Sequence, residues 1–249
     1  MDWSFVLLVF VGFLAGFINT IAGGGTLLTM PMLIFMGLPP NIANGTNRIA
    51  ILIQTAIGVK GFQSKGVTTY PFSIYLGISA LLGSLIGAQI AVDIKGELFN
   101  RILAVIMLLV VILMLFQPKI SLASLAERTQ GKYLYISIVI FFFLGIYGGF
   151  INAGIGFMML IILPYVNRLS LVKSNATKVA VVCIYTIGAV FMFAINDKIN
   201  WSYGLILAIG NATGAWVSSR WSVDKGDKMV KRFVVVMITI LSIKLWFFN

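Results

Sequence analysis

The chain has 249 residues, 60% of them hydrophobic and only 10% charged, with a mean hydropathy of +1.03. A water-soluble domain could not hide that much apolar surface, so the solvent for this chain is a lipid bilayer. The 18 Lys and Arg outnumber the 7 Asp and Glu and give a net charge of +11, but no polar, basic domain remains to bind nucleic acid, and none is expected to be a partner.

In chain order, apolar runs cover about 3–22, 26–37, 41–62, 69–93, 98–117, 134–152, 156–167, 173–195, 200–221 and 232–248. The residues ahead of the first, Met1-Asp2-Trp3-Ser4, lack a basic n-region, so that run reads as a retained helix. Most runs reach the roughly 17–25 residues that cross about 30 Å of hydrocarbon. Runs 26–37 and 156–167 do not, because a dozen residues make only about 18 Å of helix at 1.5 Å per residue. Each is either a half-helix starting within the membrane or the return arm of a re-entrant hairpin.

Each short run follows a glycine break. The first is Gly16-Phe17-Ile18-Asn19-Thr20-Ile21-Ala22-Gly23-Gly24-Gly25-Thr26, and it returns as Gly149-Phe150-Ile151-Asn152-Ala153-Gly154-Ile155-Gly156. Pro31 and Pro164 follow at matching distances. Polar backbone at membrane depth is tolerated only where protein or a wet cavity surrounds it. Two such breaks in corresponding places of two halves point to a transporter's binding site.

The repeat continues past the prolines. Asn44-Gly45-Thr46-Asn47 matches Asn175-Ala176-Thr177-Lys178, Thr55 matches Thr186, Gly83 matches Gly214, Asp93 matches Asp224 and Arg101 matches Arg232. The organisation expected is a first transmembrane repeat over 1–117, a cytoplasmic linker over 118–133 and a second repeat over 134–249. With five segments per half, the second inserts with opposite topology. Placing the N-terminus outside puts Lys60, Lys65, Lys119, Arg128, Lys132, Arg168, Lys173, Arg220, Lys225, Lys228, Lys231 and Arg232 inside, and only Lys95, Arg101, Lys198 and Lys244 outside. That excess of about three to one satisfies the positive-inside rule and leaves both termini extracytoplasmic. The fold class expected is therefore an all-α integral membrane protein of two inverted repeats, with glycine-broken helices or re-entrant hairpins. The glycines of the remaining helices, Gly77, Gly83, Gly87, Gly204, Gly210 and Gly214, read as helix packing, with Gly83 and Gly87 at small-xxx-small spacing.

Polar residues inside the apolar runs mark the candidate site. Asn44, Asn47, Arg48 and Thr55 fall on one helical face, and Asn175, Lys178 and Thr186 make the same face in the second half. A cation several residues into such a segment normally faces the bundle interior and has a partner, though long side chains near a helix end can also snorkel to headgroups. All seven carboxylates fall at loops or segment ends, so the missing counter-charge is expected to be an anionic substrate. A helix starting at Thr26 would present free N–H groups and its positive dipole end to that anion across Gly23-Gly24-Gly25. The candidate substrate-binding set is Asn19, Thr20, Gly23, Gly24, Gly25, Thr26, Asn44, Thr46, Asn47, Arg48, Asn152, Gly154, Gly156, Asn175, Thr177 and Lys178.

Other chemistries are poorly supported. There is no His, no intramembrane carboxylate and only Cys183, so neither a membrane enzyme nor a metal site is expected. No cofactor is expected, and no Gly-x-x-x-x-Gly-Lys-Ser/Thr loop supplies a primary pump. Asn19 through Gly25 with Pro31 and Asn44-Gly45-Thr46-Asn47-Arg48, together with the degenerate second copy, resembles the sulfite exporter TauE/SafE family of membrane transporters. The second copy departs from the first, with Lys178 for Asn47, which puts strict two-fold symmetry of ligand contacts in doubt. The resemblance covers essentially the whole chain. It implies an inner-membrane carrier exporting a small anion such as sulfite or an organosulfonate. The alternatives are an anion channel, or a carrier of another small oxyanion or a carboxylate. The expected partners are that anion and membrane lipid, with homo-oligomerisation left open.

Overall fold

A computed structural model describes residues 3–94, 97–99, 101–102, 105–106 and 126–247, and beyond Gly226 the side chains of Met229 and Arg232 alone. The described residues are all-α. They form α1 (Trp3–Ile21), α2 (Thr26–Phe35), α3 (Pro40–Gln63), α4 (Phe72–Asp93), α5 (Lys132–Phe150), α6 (Ile155–Asn167), α7 (Leu171–Ile195) and α8 (Trp201–Phe247). Four of these, α1, α4, α5 and α7, are long and apolar enough to cross a membrane, as an integral membrane protein requires. The expected segment 98–117 lies almost wholly outside the described residues. Residues 201–221 and 232–247 of the expected segments 200–221 and 232–248 fall within α8, which is interrupted by the non-helical Gly226 (φ 68°, ψ 179°), and residue 248 lies outside the described residues.

Local chemistry explains the boundaries. Pro40 opens α3, where its missing N–H has no intrahelical acceptor to lose. Ser170 caps α7 by accepting from the Lys173 N–H at 3.2 Å. α2 ends on Gly37 at φ 90°, with the Leu38 N–H donating back to the Leu33 carbonyl at 3.2 Å, a left-handed helix stop.

The short helices are return arms. Near the start of α5, Ser137 donates to Asn167 Oδ1 at 3.1 Å, and Asn167 ends α6. α6 therefore runs back to the side from which α5 came. In the first half, Leu8 near the start of α1 shares a core cluster with Leu33 near the end of α2, together with Ala43 of α3 and Leu207 of α8. Both hairpins turn at their glycine breaks.

Two glycine seams join these hairpins to the rest. Gly12 and Gly16 of α1 lie against Leu207 and Asn211 of α8, while Gly210 and Gly214 of α8 lie against Val9 and Phe13 of α1. The α4–α5 seam is built the same way, from Gly83 and Gly87 against Phe142 and Ile146 and from Gly145 and Gly149 against Ala80 and Ser84. In each seam the first helix of one half packs on the fourth helix of the other. A Cβ on Gly87 would lie 1.9 Å from the Ile146 carbonyl oxygen, and one on Gly149 would lie 2.2 Å from that of Ser84. The backbones are in direct contact, which only small residues allow.

Lipid-facing side chains are the natural controls for this seam. Gly149→Val should destabilise the protein by about 1–3 kcal/mol or more through overpacking. Leu82→Ala, at a side chain 54% exposed on α4, should change little. Thermal unfolding in detergent compares them, and equal melting temperatures would show that the seam is not tight.

Candidate functional site

Each of the two breaks ends a helix inside the protein, so the last carbonyls of α1 and α5 lose their intrahelical partners. At the end of α1, Ile18 O accepts from the N–H groups of Ala22 and Gly23 at 2.7 and 3.1 Å. The next two carbonyls, of Asn19 and Thr20, accept from Lys178 Nζ at 2.9 and 2.8 Å. At the end of α5, Tyr147 O accepts from the Ile151 N–H at 3.0 Å. Gly148 O and Gly149 O accept from the Arg48 guanidinium, the latter at 2.9 Å, and Phe150 O accepts from Asn44 Nδ2 at 2.8 Å. Each cation of one half thus caps the broken helix of the other half, at the negative end of its dipole.

Both cations are held from their own helix as well. Arg48 donates to Asn44 Oδ1 at 3.2 Å, and Lys178 donates to Asn175 Oδ1 at 2.7 Å. The Arg48 guanidinium also lies 5.8 Å from the centroid of the Phe193 ring. Arg48 is 0% and Lys178 2% exposed, so neither snorkels to the membrane surface. No carboxylate pairs with either among the described residues. The counter-charge expected from substrate is supplied in this state by backbone carbonyls and asparagine amides.

The breaks themselves touch. A Cβ on Gly23, whose φ is 92°, would lie 2.5 Å from Gly156 Cα, and one on Gly156 would lie 2.4 Å from Gly23 Cα. Asn152 adds a second link, donating from Nδ2 to Thr26 Oγ1 at 3.2 Å. Asn152 (φ 58°) and Gly154 (φ 74°) both adopt left-handed backbone, which glycine and asparagine tolerate best. Gly25 packs under α1, where a Cβ would meet the Ala15 carbonyl oxygen at 2.2 Å.

Beside this contact lies a cavity lined by Asn19, Gln54, Asn152, Gly156, Lys178 and Val182. Its volume is about 10 Å³, the room of about one water-sized sphere. The structure therefore brings Asn19, Asn152, Gly156 and Lys178 together at one polar spot. Asn44, Arg48 and Asn175 stand behind it as holders of helix ends and of the lysine, and Thr20, Gly23, Gly24, Gly25, Thr26 and Gly154 form the buried breaks. Thr46 and Thr177 stand apart. Thr46 Oγ1 accepts from the Asn200 N–H at 2.9 Å at the head of α8, and Thr177 donates to the Lys173 carbonyl of its own helix at 2.8 Å.

Three residues here were missed by sequence reasoning. Gln54 Oε1 accepts from Asn19 Nδ2 at 3.3 Å and from Asn211 Nδ2 at 3.1 Å. Tyr185 donates its hydroxyl to Asn152 Oδ1. Gln54 and Tyr185 immediately precede the matched threonines Thr55 and Thr186, so the repeat register carried a signal for both. Asn211 had none beyond being an amide in an apolar run.

Some polar atoms remain without partners. Both side-chain atoms of Asn47, Asn175 Nδ2, Thr186 Oγ1 and Arg48 Nε are buried and unbonded. Asn47 occupies the repeat position of Lys178, and Thr186 that of the cavity-lining Thr55. Thr29 Oγ1, Ser73 Oγ and Asn211 Oδ1 are buried without a partner as well, and buried polar atoms are normally satisfied by protein or ordered water.

A sequence profile described as "Sulfite exporter TauE/SafE" matches residues 8–245. A "Probable membrane transporter protein ORF9" from Sinorhizobium sp is 26% identical, covering 98% of this chain and 94% of the relative. A "Probable membrane transporter protein" from Haemophilus influenzae is 28% identical over 96% of this chain and 93% of its own. The Escherichia coli strain K12 "Probable membrane transporter protein YfcA" is 26% identical over 96% and 88% respectively. No solved structure matches the chain.

The two kinds of buried amide should respond oppositely to removal. Gln54→Leu orphans the amides of Asn19 and Asn211 and should cost about 1–3 kcal/mol. Asn47→Leu removes two atoms that already lack partners, and it should leave stability unchanged or raised. Melting temperatures of the two variants test this, and a large loss in Asn47→Leu would mean that its amide has partners in the folded protein.

Proposed function

The chain belongs to the sulfite exporter TauE/SafE family and is a membrane transporter, and from that premise we propose that it exports a small anion, sulfite or an organosulfonate, by alternating access between two inverted repeats. The observation that carries this reading is the meeting of two glycine breaks beside a polar cavity that Lys178 lines. Helix ends, glycine backbone and a buried cation in one place are what small-oxyanion recognition needs.

The two cations have different parts. Lys178 is the charge offered to substrate, because it lines the cavity. Arg48 is a clasp on the end of α5. An anion drawing the ammonium of Lys178 away from the Asn19 and Thr20 carbonyls loosens the cap on α1. The cavity must also widen to admit anything larger than water. Binding and separation of the halves are thereby one event, since a ligand shifts a conformational equilibrium only through contacts that differ between states. The N–H groups at the starts of α2 and α6, with Asn19, Asn152 and the unbonded amide of Asn47, supply the remaining donors. Efflux of an anion from a negative interior gains about 2.3 kcal/mol per charge per 100 mV, so export can run without a coupling ion.

The orientation follows from charge. Lys65 is paired with Asp224 at 2.7 Å and Lys173 with Glu127 at 2.6 Å. The Arg128 N–H donates to Asn167 O at 2.9 Å. The basic loops accordingly lie at one end of the bundle, which we assign to the cytoplasm of a bacterial inner membrane, with both termini outside. In a Cys183→Ser background, Gln130→Cys should resist membrane-impermeant thiol reagent in intact cells and Asp197→Cys should react. Strong labelling at position 130 would overturn the orientation.

Flux into proteoliposomes, screened with sulfite, sulfoacetate, sulfate, phosphate and a carboxylate, tests the substrate class. Lys178→Gln should raise the half-saturating concentration at least about tenfold, the effect of roughly 1.4 kcal/mol from one charge near the anion. Arg48→Gln should instead lower thermal stability by about 1–3 kcal/mol through orphaned carbonyls and leave half-saturation largely unchanged. Normal affinity in Lys178→Gln would remove the lysine from the site.

A further inference from the structure

A second and larger cavity, of about 470 Å³, opens where the turn between α3 and α4, the linker and the turn between α6 and α7 come together. Thr68, Tyr70, Gln130 and Thr177 contribute hydroxyl and amide groups to its wall. The charged groups lining it are Lys173 and Glu127, joined at 2.6 Å with side chains 44% and 40% exposed. An ion pair that open to water is weak and readily exchanged.

The carboxylate sits on a held segment. Its neighbour Arg128 is bound through its N–H and its carbonyl to the Asn167 carbonyl and Nδ2, each at 2.9 Å. The cation sits on α7, one turn before Thr177, so Lys173 and Thr177 share a helical face. The residue after Thr177 is Lys178. One helix therefore carries the lining of both cavities, the large one first and the central one immediately beyond.

Beyond the lining, Arg128 and Lys132 pack on the Tyr133 ring at 4.3 and 5.3 Å, and Arg168 follows the end of α6, so the neighbouring segments are basic. An oxyanion that displaces the Glu127 carboxylate keeps Lys173 paired and gains from the basic neighbouring segments, whereas a cation pairing with Glu127 would leave Lys173 unpaired among them.

We propose that this vestibule is a separate loading site for a small oxyanion, with Lys173 as its cation and Glu127 as a resident carboxylate that the arriving anion replaces. The inference rests on the carrier reading above and adds to it a site distinct from the central one. An anion enters the vestibule, exchanges with Glu127 at Lys173, and passes along α7 to Lys178 when the centre widens. The intramolecular carboxylate keeps Lys173 oriented while the vestibule is empty and competes with weakly bound anions.

The test is initial-rate sulfite flux in proteoliposomes of known orientation, with wild type, Lys173→Gln, Lys173→Arg and Glu127→Gln, loading from each side in turn. From the vestibule side, Lys173→Gln should raise half-saturation by about two- to fivefold, the reach of one partly hydrated charge. Glu127→Gln should lower it, and Lys173→Arg should stay near wild type. These differences should shrink as ionic strength rises and be absent when substrate is loaded from the opposite side. Wild-type saturable flux with unchanged half-saturation in both Lys173→Gln and Glu127→Gln overturns the vestibule alone. So does an equal change from both sides, which would report a general structural effect. No oxyanion flux by wild type overturns the carrier reading itself.

Discussion

Backbone that stops being helical inside hydrocarbon must find its hydrogen bonds within the protein, and the structure turns on how that demand is met. The ends of α1 and α5 expose carbonyls that lipid cannot serve. Their caps come from the other half: Lys178 on α7 serves α1, while Arg48 and Asn44 on α3 serve α5. Neither half could close its own break with these groups. The glycine seams reinforce the exchange, because α1 packs on α8 and α5 on α4. The surface between the halves therefore carries both the tight glycine seams and the buried cations.

The two halves do the same job with different residues. Arg48 follows Asn44 by four positions and Lys178 follows Asn175 by three, so the cations stand at non-equivalent places in the repeat. Both reach carbonyls at the end of a broken helix. At the position equivalent to Lys178 the first half has Asn47, whose amide is buried and unbonded. Gln54 and Tyr185, equivalent to each other, both steady the asparagine that precedes the break, Asn19 and Asn152 respectively. The backbone arrangement is shared while the polar chemistry has diverged. The result is a cavity with one cation, Lys178, in its wall.

Much of this was legible in the chain, because the bilayer makes polar residues conspicuous. The glycine breaks, the short runs behind them and the polar faces of α3 and α7 could be read as departures from an apolar background. Whether the short runs were half-helices or the return arms of re-entrant hairpins was not legible, since a dozen apolar residues suit either. It took the Ser137–Asn167 bond and the Leu8–Leu33 cluster to settle it. The interior placement of Arg48 and Lys178 followed from the cost of burying charge, but their carbonyl partners did not, because those contacts join residues more than a hundred positions apart. Gln54 and Tyr185 differ in type, and a residue comparison passes over them even though the register aligns them.

The buried atoms left unbonded give the last step. Asn47 and Thr186 bury side-chain polar atoms that find no partner in the protein, which adds nothing to the stability of a core. The cavity beside the breaks has room for about one water. In the structure the cations are satisfied through carbonyls while the Asn47 amide has no partner; on the carrier reading proposed above, opening would expose both sets of donors together. On that reading an anion engaging both would gain contacts unavailable in the closed state, and such a difference is what lets binding shift an equilibrium between states. A neutral solute of the same size has no claim on Lys178 and would leave its carbonyl caps in place. On the carrier reading proposed above, selectivity for charge and the ability to move follow from one arrangement: a lysine shared between the end of a helix and a ligand.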